Sequence, residues 1–76
     1  MKVFIYKKRG LEVDNCLTAI VAANSLKEVT SALEADGFVN MCFNEPFNYP
    51  KPDNENTRVL PDVTADVNEP KLLELL

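Results

Sequence analysis

Residues 16–37, CLTAIVAANSLKEVTSALEADG, constrain the fold of this chain more than any other stretch. They read as a buried strand running directly into a capped helix. Residues 17–23 are apolar except for Thr18, the pattern of a strand buried on both faces and placed centrally in its sheet. Ser25 stands three residues before Glu28, a capping box in which the hydroxyl accepts from the Glu28 amide and the carboxylate reaches back to the Ser25 amide. The helix is therefore predicted to start at Ser25. Leu26, Val29, Ala32 and Leu33 then form one apolar stripe, Lys27, Glu28, Glu34 and Asp36 lie away from it, and Gly37 supplies a left-handed stop. The competing reading is one continuous helix over residues 16–35. The change of hydrophobic period at Asn24 separates the two.

The other segments arrange themselves around this unit. Residues 3–6, rich in β-branched and aromatic side chains, predict a first strand that residues 11–15 connect to the second as a hairpin, making the two antiparallel neighbours. Lys7, Lys8 and Arg9 fall near the hairpin tip, either as a solvated turn or as a contact for an anion or an acidic partner. Residues 38–43 alternate in the manner of a third strand. Residues 44–56 hold Pro46, Pro50 and Pro52 and no aliphatic side chain, so they form a semi-rigid arm. On that arm Phe47 and Tyr49 either cover the sheet edge or present an aromatic contact to a partner. Residues 57–60 predict a short edge strand that Pro61 either ends or confines to an edge, residues 62–67 a connector, and Asn68 the cap of a final helix carrying Leu72, Leu73, Leu75 and Leu76.

The predicted class is α+β: a small β-β-α-β core with an antiparallel sheet, one covering helix, a proline-rich arm and a short C-terminal helix. The chain of 76 residues is one domain, with core 1–43, arm 44–56, and strand and tail 57–76.

Chemistry is limited by what the composition lacks. There is no histidine, which removes Ser-His and Cys-His nucleophile pairs and the usual general base at neutral pH. Cys16 and Cys42 form no C-x-x-C motif and read as reduced, buried thiols, and Gly10 and Gly37 are too few for a phosphate-cradling loop. The run from Asp53 places carboxylates at the first and third positions of a calcium loop. Arg58 at its sixth position and Thr64 at its twelfth then break the template, so no metal and no cofactor is predicted. The net charge of −4 lies in the second half, where Lys51, Arg58 and Lys71 face seven acidic residues. Such a half repels phosphate backbones and argues against direct nucleic-acid binding. No apolar run reaches 18 residues and the N-terminal segment is charged early, which predicts a cytoplasmic protein without membrane contact.

The succession of short strand, hairpin and AIVAANSLKEV, carried by Ala22, Ala23, Ser25 and Glu28, resembles the opening unit of small uncharacterised phage- or prophage-encoded proteins with a β-β-α opening. The resemblance covers residues 1–37. It implies a structural motif and brings no catalytic residue.

Subtraction leaves a non-enzymatic protein-interaction module, in a phage setting an inhibitor of a host protein acting in the host cytoplasm. Its partner-binding residues are Phe47, Tyr49, Asp53, Glu55, Leu72, Leu73, Leu75 and Leu76. The partner is another protein with a basic surface, and the leucine tail either covers its own sheet or pairs two copies as a homodimer. The alternative is a small-molecule or nucleotide-binding protein, with Lys7, Lys8 or Arg9 fixing an anionic group. A fold this small is not expected to leave the few hundred Å³ that such a site needs.

Overall fold

Two strands of equal length and matched side-chain pattern pair along their whole extent. In the computed structural model, which describes residues 1–9, 16–36 and 50–76, β1 (Lys2–Arg9) runs antiparallel to β2 (Cys16–Ala23), from Lys2 opposite Ala23 to Arg9 opposite Cys16. Cross-strand partners share a face of the sheet. Phe4 with Val21, and Tyr6 with Ala19, therefore point one way, and Val3 with Ala22, and Ile5 with Ile20, point the other.

The first of these faces is sealed by α1 (Leu26–Ala35). Val29, Ala32 and Leu33 are buried and form one cluster with Phe4, Tyr6, Ala19, Val21 and Ala23, against which Leu26 is half-buried. The small side chains of Ala19 and Ala23 leave room for the helix beneath larger neighbours. Ser25 is the N-cap, its hydroxyl accepting from the Glu28 amide at 3.2 Å. The Glu28 carboxylate differs from the expected box: it accepts from the amide of Asn24 at 3.0 Å, one residue earlier than Ser25. The reciprocity survives with a shifted partner, so two amides at the helix entrance are still satisfied. At the other end the Asp36 amide donates to the Ala32 carbonyl at 3.2 Å. Gly37, the strand expected over residues 38–43, and Cys42 lie outside the described residues.

The sheet is completed from the C-terminal half. β3 (Thr57–Thr64) pairs antiparallel with β1, and β4 (Lys71–Leu75) pairs antiparallel with β2, giving the order β3-β1-β2-β4. The central position expected for β2 is observed. Its burial on both faces is only partial: Ala19, Val21 and Ala23 are buried under α1 and Ala22 is buried on the face away from α1, but Thr18 and Ile20 there are half-buried.

Two expectations are corrected. The first is the end of the fourth segment at Leu60, with residues 62–67 as connector. β3 continues through Pro61 to Thr64. Phe4 pairs with Val59 but Lys2 pairs with Thr64, so four residues of β3 stand opposite Val3 alone. Pro61 sits in this irregular stretch of a strand that is outermost among the described residues, where a missing amide breaks no pairing with β1. The second is the C-terminal helix. Lys71–Leu75 is a strand, because a segment this short gains its hydrogen bonds from β2 rather than from itself. The ladder runs on to Leu76, whose amide donates to the Thr18 carbonyl at 2.8 Å.

β4 also carries an irregularity. Val21 pairs with Leu72 and Ile20 with Glu74, which leaves Leu73 as one extra residue. Leu72 and Leu75, three apart, consequently share the helix-side face with Val21 and Ala19, while Lys71 and Glu74 share the opposite face with Ala22 and Ile20. Among the described residues, no helix is long and apolar enough to cross a membrane.

Candidate functional site

The turn that delivers the chain into β3 is built from its own polar side chains. Oδ1 of Asp53 accepts from the amides of Glu55 at 2.8 Å and Asn56 at 3.0 Å, and the Asp53 amide donates to Oδ1 of Asn56 at 2.9 Å. Asn56 donates from Nδ2 to the Lys51 carbonyl at 3.1 Å, and its Oδ1 also receives the Thr57 hydroxyl at 2.6 Å. Short polar side chains here take over the bonding that a ladder supplies elsewhere. The turn is also tied to the sheet. The Lys7 amide donates to the Asn56 carbonyl at 2.8 Å, and the buried Tyr6 hydroxyl donates to the carbonyl of Pro50. Asp53, expected as a partner-binding residue, thus has one carboxylate oxygen engaged inside its turn. Glu55 is exposed. Phe47 and Tyr49 lie outside the described residues.

Beside this turn lies a cleft of about 590 Å³. Ile5, Lys7 and Arg58 form its sheet wall, and Pro50, Asp53 and Glu55 its turn wall. Ile5 pairs with Arg58 across β1 and β3, and Lys7 follows two residues after Ile5, so both cations project from the same face as diagonal neighbours. Among the described residues the one ion pair is exposed, Lys51 Nζ to Glu34 Oε1 at 4.0 Å, and neither Lys7 nor Arg58 has a carboxylate within that distance. The expectation that a fold of this size leaves no such space is corrected: among the described residues, the anchored turn standing beside β1 and β3 borders one that is half open to solvent. Lys7 was among the residues singled out from the sequence. Arg58 was not, although it is the sole cation of the segment that became β3.

The C-terminal leucines form a second feature. They read in the sequence as one set, and β4 divides them. Leu72 lies opposite Val21 and packs half-buried against the core with Leu26. Leu73, Leu75 and Leu76 are 41%, 47% and 63% exposed. Glu69, Lys71 and Glu74 on the same margin are exposed as well. Among the described residues β4 is an edge strand with no neighbour on its outer side.

No protein-family model, no curated protein and no solved structure matches the chain.

Proposed function

We propose that this chain is a non-enzymatic protein-interaction module of the cytoplasm that holds its partner through the leucine margin of β4. One observation carries the reading: of the four C-terminal leucines Leu72 packs on the core cluster, while Leu73, Leu75 and Leu76 stay more than 40% exposed together. Single exposed leucines are ordinary, but neighbouring ones at a sheet margin are the usual mark of a contact surface. Burying each of them is worth up to roughly 1.5–3 kcal/mol, a gain the isolated chain leaves unused. Glu69 and Glu74 flank the leucines and the second half of the chain is acidic, so the complementary surface is an apolar patch ringed by lysine and arginine. The extra residue at Leu73 interrupts the outer edge of β4, which favours contact through side chains over extension of the sheet. The likeness of residues 1–37 to phage-encoded proteins makes a host protein with such a surface the natural partner, and occupation of that surface the natural means of inhibition.

Affinity capture with the wild-type chain and with the Leu73→Ser, Leu75→Ser variant tests this. The expected result is one protein recovered by the wild type, weakened at high salt, and lost with the variant while the variant keeps its melting temperature. Equal recovery by both baits would remove β4 as the contact. Sedimentation of the wild type alone, run in parallel, reveals whether the captured protein competes with a second copy of the chain.

A further inference from the structure

We propose that the cleft between β1, β3 and the 50–56 turn is a binding site for a nucleoside monophosphate, a function separate from the leucine margin. The argument begins with charge. Lys7 and Arg58 stand on one face as diagonal neighbours, and among the described residues neither is neutralised by a carboxylate within 4.0 Å. Two adjacent unpaired cations repel each other, and a doubly charged anion placed between them relieves that repulsion and gains two charge-assisted hydrogen bonds. The guanidinium of Arg58 suits the two oxygens of a phosphate, and Lys7 adds a compact charge.

The other wall calls for donors. Oδ1 of Asp53 is occupied by the Glu55 and Asn56 amides, but among the described residues its second oxygen and the carboxylate of Glu55 make no hydrogen bond. Carboxylates that face a bound anion need a neutral group between, and a sugar diol meets that need by donating hydroxyls to them. Among the described residues Ile5 and Pro50 add apolar surface fit for the face of a flat ring, and Asn56 lies beside them. A dianion, a diol and a flat apolar body together describe a nucleotide; a sugar phosphate lacks the third element and a nucleoside the first. The volume of about 590 Å³ falls within the usual range of small-molecule sites.

Titration calorimetry of the full chain with adenosine monophosphate and guanosine monophosphate tests the assignment, with adenosine, ribose phosphate and inorganic phosphate as comparison ligands. Saturable binding of at least one nucleotide is expected, with each comparison ligand about tenfold weaker or more, a difference of about 1.4 kcal/mol. The Lys7→Gln, Arg58→Gln variant should lose about tenfold or more for the nucleotide and keep its melting temperature, since both side chains are exposed. A salt series on the wild type needs no variant: nucleotide affinity should fall with ionic strength and adenosine affinity should not. Absence of saturable nucleotide binding at millimolar concentration, adenosine or phosphate binding as tightly as the nucleotide, or a nucleotide affinity indifferent to salt would each overturn the proposal.

Discussion

Replacing Leu72 and Leu73 by alanine, one at a time, sets two adjacent leucines of one strand against each other. Leu72 is half-buried, lies opposite Val21 and packs on the core cluster; Leu73 is the extra residue of β4 and is 41% exposed. Complete removal of a core leucine costs about 2–5 kcal/mol once the cavity is included. At a half-buried edge position, where solvent fills part of the space, about 1–2 kcal/mol is expected for Leu72→Ala. Leu73→Ala takes away surface that water already reaches and should stay within about 0.5 kcal/mol. Because 1 kcal/mol moves the melting temperature of a domain this size by roughly 4–8 °C, the two variants should melt about 2 °C or more apart, with Leu72→Ala the lower. Urea unfolding gives the same comparison through a midpoint shift at constant slope. Equal costs for the two substitutions, or a Leu75→Ala cost above that of Leu72→Ala, would refute the strand and its register, since a helical tail makes Leu72, Leu75 and Leu76 one stripe.

Ser25→Ala should destabilise by about 1 kcal/mol in the same assay, because it removes the acceptor of the Glu28 amide. Asn56→Ala breaks three side-chain hydrogen bonds of the turn before β3 and should cost about 1–2 kcal/mol, and amide exchange should speed up at Glu55 and Thr57 before the rest of the sheet. Lys51→Ala should change stability by less than about 0.5 kcal/mol, since its pairing with Glu34 is long and solvated on both sides.

The parts of the fold that were legible in the sequence are those where local pattern and tertiary environment agree. The strand of residues 16–23, the Ser25 cap and the Leu26, Val29, Ala32, Leu33 stripe all follow from the sequence because each answers to its nearest neighbours. The C-terminal segment was misread for a physical reason. An extra residue in a strand turns a spacing of two into a spacing of three, so Leu72 and Leu75 reach the same face with the separation of one helical turn. Pro61 misled in the same way. It marks a break in pairing, which the sequence suggests as an end, whereas an edge strand continues past it. The cleft was hidden because it joins Lys7 to Arg58, residues about two thirds of the chain apart whose proximity exists only through the β1 and β3 register. The leucine margin was half legible: four leucines announced a buried or shared surface, but which one stays inside depends on a register that no local signal specifies.

Among the described residues the two outermost strands of the sheet share one device, and removing it from β4 leads to the last prediction. Both edge strands are irregular, β3 around Pro61 and β4 at Leu73, and such breaks keep a sheet from recruiting further strands. Deleting Leu73 leaves Lys71, Leu72, Glu74 and Leu75 consecutive, opposite Ala22, Val21, Ile20 and Ala19, which is every pairing of the present register with the interruption gone. The side chains then alternate regularly, Leu72 and Leu75 toward α1 and Lys71 and Glu74 toward the opposite face. Since no pairing and no half-buried contact is lost, the deletion variant should fold with a melting temperature close to that of the wild type, as few single-residue deletions within a strand do. Its outer row of amides and carbonyls is now continuous, so it should associate more strongly than the wild type as concentration rises, even though it has lost one exposed leucine. Sedimentation velocity over a concentration series measures this directly. A deletion variant that unfolds would show that Leu73 is not the extra residue, and one that folds but associates no more than the wild type would show that the irregularity does not guard the edge.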